Sequence, residues 1–385
     1  MKVVYVIDSL ASMGGAERII TDKMNYMASH FGYEMFVITC YQDIAQSPNA
    51  YDLSETVHQI NLNIPYYSQY HYRYPRRLWV KWSIYRELVS RLKATVQQID
   101  PDVLIGLGYF MADVVSGIPC RAAKAVESHE ARIFTMSDKG LSRSFLSRAY
   151  MKHYRKRYFK RVEKNADVVV TLTTGDAKEW MKAKRIEVVP NFTVMPVVKY
   201  NTVENKRVIA VGRLEWQKGF DRLIDAWAMV HQKHSDWQLD IYGSGTLEHD
   251  LKRRIRDCGL ENNVVVHPFT SDINQKYAES SFFVLSSRFE GFGLVLLEAM
   301  QCGLPCITFD CPFGPGDVVA DSQNGFVVKE GDVSAFAGKI SQLIEDEGLR
   351  KQFSQASIER AKLFNVDSVM AQWRKLLEEL AKQRT

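Results

Sequence analysis

The apolar positions of this chain fall into two rhythms that alternate from one end to the other. Short continuous runs, such as Val3-Val4-Tyr5-Val6-Ile7, Val103-Leu104-Ile105 and Phe282-Phe283-Val284-Leu285, have the length and composition of buried strands. Between such runs apolar residues recur at helical spacing. Ile20, Met24, Met27 and Phe31 make one helix face, and Leu223, Ile224, Trp227 and Val230 another. Further strands are expected within 37–39, 125–130, 167–171, 207–214, 239–245, 264–269 and 303–310. Amphipathic helices are expected at 333–345 and 349–364, with a last one carrying Val369, Met370, Trp373, Leu376, Leu377 and Leu380. Strand–loop–helix units in succession predict the α/β class. Residues 41–70, polar, aromatic and irregular, fit neither rhythm.

At 385 residues the chain exceeds one ordinary hydrophobic core, so two domains are expected. Val188-Val189-Pro190-Asn191 closes the first, giving residues 1–193, a linker at 194–206, a second domain at 207–364 and a terminal helix at 365–385. The content of 46% apolar and 25% charged residues is that of a soluble globular protein, and no run reaches the ~18 apolar residues of a membrane span. The first run meets Asp8 after five apolar residues, too soon for a signal peptide, and reads as the first strand of the mature protein. Six cysteines, at 40, 120, 258, 302, 306 and 311, lack zinc-ligand spacing and read as reduced cytosolic thiols. No fixed-period repeat occurs.

The net charge of +5 hides an asymmetry: 27 basic residues face 19 acidic ones through residue 193, and 23 face 26 beyond it. Residues 70–93 hold seven basic residues, one acid and six aromatics, including Trp79 and Trp82. Residues 142–164 hold nine basic residues and one acid, interleaved with Phe145, Leu146, Tyr150, Met151, Tyr154, Tyr158 and Phe159. The plain reading is two solvated helices whose aromatics pack on the core. One-sided charge mixed with Trp and Tyr also suits an anionic bilayer interface, and that reading is preferred for the pair. Nucleic acid, the competing acidic partner, has no RNP-like, zinc-finger or KH-type motif here.

The most informative stretch starts where the run Phe282–Leu285 ends: Ser286-Ser287-Arg288-Phe289-Glu290-Gly291-Phe292-Gly293-Leu294, continuing to Glu298-Ala299-Met300. Strand, glycine-bearing loop and helix follow one another, and ligands of α/β folds bind at such strand ends. Amides at a helix start favour an anion such as a diphosphate. Taken singly, Glu290 and Glu298 would be a solvated loop residue and the polar side of a helix. Elsewhere, Gly14-Gly15 opens a helix after the first strand, and Arg213 and Lys218 flank a second strand-to-helix turn, where both cations could converge on one site.

Glu290-Gly291-Phe292-Gly293-Leu294, followed by Glu298-Ala299-Met300 and Gly303-Leu304-Pro305, closely resembles the donor-site signature of retaining glycosyltransferases of the GT4 type, as in bacterial surface-polysaccharide and lipid-linked glycan assembly. The resemblance implies a GT-B fold: two Rossmann-like domains facing across a cleft, with the C-terminal helix crossing back to the first. Gly212-Arg213-Leu214 with Lys218-Gly219 is similar to the family's diphosphate clamp, in which Arg213 and Lys218 neutralise the departing nucleoside diphosphate. Gly15 is then in the first glycine loop, Gly243 in a second, and Phe269 beside the nucleobase. His129, after Ser128, reaches the transferred sugar. Phe292, Gly293 and Leu294 present backbone amides, Glu290 accepts from sugar hydroxyls and Glu298 from the ribose diol. Gly314-Pro315 ahead of Asp317 is similar to members acting on lipid-linked sugars.

The family's pattern implies retaining transfer without a metal, and no D-x-D tripeptide of the metal-dependent kind is read in the chain; Asp8, Asp102 and Asp240 read as isolated strand-end acids by comparison. The expected donor is a UDP-sugar and the expected acceptor a lipid-linked or growing surface saccharide. The expected location is cytoplasmic, peripheral on the inner face of the membrane, with no nucleic acid. A nucleotide-sugar epimerase of the same fold, or a non-catalytic membrane-docking partner of a transferase, would keep much of this pattern. A glycoside hydrolase using two carboxylates would have no diphosphate for Arg213 and Lys218 to hold.

Overall fold

The computed structural model describes residues 1–12, 14–129, 145–194 and 202–382, the side chains of 109, 145–152 and 154 apart. The chain divides into two units, Met1–Pro190 with Val369–Thr385, and Asn191–Ser368. The division falls at 190, three residues ahead of the sequence boundary, and the last helix rejoins the first unit from Val369.

The first unit is built on a parallel seven-stranded sheet of order β3-β2-β1-β4-β5-β6-β7. Its strands are β1 Lys2–Ile7, β2 Glu34–Thr39, β3 Val57–Asn61, β4 Val103–Leu107, β5 Ala123–Ser128, β6 Val168–Thr171 and β7 Ile186–Val188. Its described helices include α1 Gly15–Phe31, α2 Arg76–Ile99, α3 Gly108–Gly117 and α4 Phe145–Asn165. Strands covered on both faces must be apolar throughout, and Val3, Val4, Tyr5 and Val6 are indeed wholly buried. β3 lies in the segment that fitted neither rhythm. It is an edge strand paired only with β2, and Val57 is its one buried residue, so no continuous apolar run marks it.

The second unit carries a parallel six-stranded sheet of order β10-β9-β8-β11-β12-β13. The strands are β8 Arg207–Val211, β9 Gln238–Tyr242, β10 Val264–His267, β11 Phe282–Leu285, β12 Cys306–Asp310 and β13 Gly325–Lys329. Helices α5 Phe220–His231, α6 Glu248–Asp257, α7 Ile273–Ala278, α8 Leu294–Gln301, α9 Val333–Glu345 and α10 Glu347–Ala361 follow, with a short turn of helix at Pro315–Val318 that begins inside the expected 311–317 loop; α11 Val366–Lys382 then belongs to the first unit from Val369. In both sheets the strand order reverses once, between β1 and β4 and between β8 and β11. Loops at such reversals part and leave a crevice beyond the strand ends.

The two basic, aromatic stretches behave differently, which corrects their treatment as a pair. In α2 the buried stripe Ile84, Leu88, Leu92, Val96 and Ile99 belongs to the C-terminal part. Ahead of it Tyr67, Tyr70, Tyr74, Leu78, Trp79 and Trp82 are exposed, Trp79 to 70%. In α4 the described aromatics are core: Tyr158 and Phe159 are buried beside Val162 and Trp180, and Arg161 pairs with the buried Asp113. Ser142 and the side chains of Phe145, Leu146, Tyr150, Met151 and Tyr154 lie outside the described residues.

Arg350 of α10 shows how the second unit closes. Buried among backbone, it donates to the carbonyls of Val203, Leu343 and Ile344 at 3.0, 2.6 and 2.8 Å. Arg350→Met keeps the aliphatic volume and orphans three carbonyls, so urea unfolding should show the second unit destabilised by about 2–4 kcal/mol, with the first unit's transition unmoved.

Candidate functional site

The β8-to-α5 turn and the loop after β11 are neighbours because β8 and β11 are adjacent in the sheet. They are tied by Arg288, whose guanidinium forks onto Asp221 at 2.8 and 2.6 Å, donates to the Trp216 carbonyl at 2.7 Å and stacks on the Trp216 ring. Burial favours protonation of Asp221, but Arg288 outweighs it and holds the carboxyl below its usual range. The Arg288 amide also donates to the Gln217 carbonyl at 2.8 Å, and Gln217 reaches the Phe289 carbonyl at 3.1 Å.

On this frame Lys218 Nζ lies 2.7 Å from Glu290 Oε1, and Ser287 Oγ donates to the same oxygen at 2.5 Å. Glu290 is only 6% exposed, so it is not a solvated loop residue. The structure thus brings Lys218 to Glu290. Arg213 stands exposed, with one side-chain hydrogen bond among the described residues, to Gln217 at 3.4 Å.

Gly293 caps α8 in the left-handed region, φ 87°, which a residue with a Cβ resists. Leu294 is the first helical residue, and Phe292 before it is buried edge-on against Phe364. The first amides of α8 therefore open beside Glu290, ready for an anion. Glu298 is buried on the inner face of α8, where the hydroxyl of the fully buried Tyr277 donates to its Oε2 at 3.3 Å. Phe269 follows β10 and is 70% exposed. Gly243 has a packing reason: a Cβ there would lie 1.9 Å from the Gly212 carbonyl oxygen.

In the first unit, Gly14 caps α1 and Gly15 begins it; Met13 of that loop and Glu130 after His129 lie outside the described residues. His129 follows β5, and its Nε2 meets Glu127 Oε1 at 2.7 Å. Glu127 also pairs with Lys23 of α1, both wholly buried. Burial would raise the Glu127 carboxyl, but Lys23 and His129 hold it down to about 2. Two expected strand-end acids are placed otherwise. Asp102 sits at the entry to β4, where it accepts from the Lys2 amide at 2.8 Å. Asp240 is buried within β9 and paired with Arg207 at 3.1 Å and His267 at 2.7 Å, so it is not isolated.

The sequence reading passed over Lys23, Ser287, Arg288, Asp221 and Tyr277. Lys23 had a signal, since it lies three residues after Ile20 on the apolar stripe of α1. Arg288, Asp221 and Tyr277 are common polar types whose partners are remote in sequence, and Ser287, three residues ahead of Glu290, is a common loop residue with no pattern of its own.

Residues 198–360 match the family described as glycosyl transferases group 1. The second unit is a group 1 glycosyl transferase domain. Over 383 residues the whole chain is 27% identical to an uncharacterized glycosyltransferase of Haemophilus influenzae, covering 98% of this chain and 99% of that one. The amylovoran biosynthesis glycosyltransferase AmsD of Erwinia amylovora is 33% identical over 224 residues, 55% of this chain and 62% of AmsD, so the match spans less than two thirds of that relative. HepE of Anabaena, solved with UDP and glucose, matches with a TM-score of 0.74 at 20% identity, covering 98% of this chain and 100% of HepE. The fold is therefore GT-B, and the Lys218–Glu290 pair, α8 and Glu298 all lie inside the group 1 domain.

Gly243→Ala separates packing from ligand contact in that domain. Overlap with the Gly212 carbonyl should cost about 1–3 kcal/mol, read as a lower melting temperature of the ligand-free protein.

Proposed function

We propose that this group 1 glycosyltransferase is a retaining enzyme of the GT4 type. Its donor is a UDP-sugar, it needs no metal, and its acceptor is a lipid-linked or growing saccharide of a bacterial surface polymer. The observation that carries the reading is the Lys218–Glu290 pair, 2.7 Å apart beside the first amides of α8. A nucleoside diphosphate arriving there meets Lys218 as a compact cation, α8 as a row of N–H donors and Arg213 as an exposed fork. Charge that builds on the leaving diphosphate is stabilised by these fixed donors. Lys218 turns to phosphate as Glu290 turns to the hydroxyls of the sugar, while Glu298, oriented by Tyr277, accepts from the ribose diol. Gly15, Gly243 and Phe269 complete the donor contacts through backbone and ring, and His129 bonds a hydroxyl of the transferred sugar. Rate enhancement then comes from positioning and leaving-group stabilisation. The UDP and glucose of HepE support the donor class, and the amylovoran enzyme's name supports a polysaccharide product.

The acceptor's lipid suggests where the enzyme works: on the cytoplasmic face of an anionic membrane. Support comes from the exposed aromatics at and before the start of α2, which stand among Arg73, Arg76, Arg77, Lys81 and Arg86. Arg77 lies 4.4 Å from the Tyr70 ring, Arg76 4.7 Å from Tyr72 and Arg86 4.7 Å from Trp82. Indole rings at headgroup depth and guanidinium groups on lipid phosphates suit this composition. Among the described residues no helix is long and apolar enough to cross a membrane.

Thermal shift tests the donor site, because a ligand that binds only the folded state raises its melting temperature. Lys218→Ala should weaken UDP binding about ten- to hundredfold and uridine binding far less; equal losses would remove Lys218 from the phosphates. For the membrane face, co-sedimentation with phosphatidylglycerol vesicles should fall with added salt and be lost in Trp79→Ser/Trp82→Ser. Sedimentation of that variant at the parental level would locate the contact elsewhere.

A further inference from the structure

The first unit buries a charged group for which the donor chemistry has no direct use. Lys23 is 1% exposed, on the apolar face of α1 between Ile20 and Met24. Its ammonium pairs with Glu127 of β5 and lies 4.4 Å from the centre of the Trp373 ring of α11, itself buried. Burying a charge this deeply is costly, and apolar residues of similar volume would hold the fold as well or better. The pair therefore calls for a reason beyond packing. Glu127 Oε1 supplies one: the oxygen that meets Lys23 also meets His129 Nε2, at 2.7 Å.

We propose that Lys23 and Glu127 are positioning residues that lock the His129 imidazole in one orientation and one tautomer. An ionised carboxylate can only accept, so the hydrogen of the neutral ring resides on Nε2. Nδ1 is left as a lone-pair acceptor, and among the described residues it makes no hydrogen bond. Lys23 keeps Glu127 ionised by standing against it where both are buried, and the Trp373 face gives the ammonium its second favourable surface. Glu127 accordingly stays a carboxylate far into acid. Resting on the role proposed for His129, this makes the imidazole an acceptor for a sugar hydroxyl. A ring free to flip would present a donor half the time. Neighbouring carboxylates and carbonyls fix metal-bound and catalytic histidines in the same way.

The test reads the tautomer directly in the full chain labelled with ¹⁵N-histidine, by long-range ¹H–¹⁵N correlation at about pH 8, above the ordinary imidazole range of ~6.5. The His129 ring is assigned by its loss in His129→Gln. A single Nε2–H tautomer in the parent protein is expected; an Nδ1–H ring or a mixture overturns the proposal, and this arm needs no variant to fold. Lys23→Met/Glu127→Gln removes both charges at similar volume, so no ion is orphaned, and it should release the ring into mixed tautomers while circular dichroism shows the fold kept. A retained single tautomer in that variant would overturn the lock.

Hydrolysis of UDP-glucose supplies the second arm. The double variant should lose roughly ten- to hundredfold in kcat with the KM for UDP-glucose nearly unchanged. Added to His129→Ala, the same two substitutions should cost nothing more, because coupled residues are not additive. Additive losses would mean a general structural role and overturn the coupling. If His129→Ala alone leaves kcat intact, the sugar role of His129 fails, and the spectrum still decides the lock.

Discussion

Lys218 and Glu290 are far apart in sequence, and each depends on the other to be buried. A carboxylate 6% exposed is unfavourable without a partner, and a lysine stem laid along a strand end needs an acceptor for its head. The pair forms because β8 and β11 are neighbours at the reversal of the sheet order, and because Arg288, Asp221 and Gln217 bind the two following loops into one body. From it the rest of the site follows: the Glu290 loop leads into Gly293, Gly293 sets the start of α8, and α8 carries Glu298 inward to Tyr277. A polar ligand entering such a site does not meet bare charges. It exchanges one set of hydrogen bonds for another, at low reorganisation cost.

The first unit repeats the device at greater depth. Lys23 and Glu127 lie under the strand ends, and their shared oxygen is also the partner of His129. The two pairs differ in solvent access. Lys218 keeps part of its surface open, which suits a group that must change partners, whereas Lys23 is sealed, which suits one that must not. The seal comes from Trp373, so the return of the last helix to the first unit also gives a buried cation its aromatic face.

The start of α2 makes the opposite use of the same residue types. Arginines and aromatic rings there pack on one another at the surface, in cation–π pairs that keep the rings apart from the core. The buried stripe begins only at Ile84. One helix is therefore a core element over its later turns and an exposed apolar and basic surface at its start.

What the sequence determined by itself is the central strands and the striped helices, because buried parallel strands must be continuously apolar and covering helices must carry a stripe; the edge strands β3, β7 and β13 escaped it. It also determined the relation among Glu290, Gly293 and Glu298, which share a short motif and keep their spacing through local geometry alone. Tertiary structure decided everything that needed a partner far along the chain. It gave Lys218 the Glu290 carboxylate as its partner. It turned Asp240 from a strand-end acid into a buried ion-paired one. It sent the described aromatics of α4, Tyr158 and Phe159, into the core and those at the start of α2 to the surface, although the two stretches are alike in composition. It gave Gly243 a carbonyl to make room for, and Lys23 an acid across the sheet. Periodicity shows which face of an element is buried, but not what lies against it, and the energy of a charge is set by what lies against it.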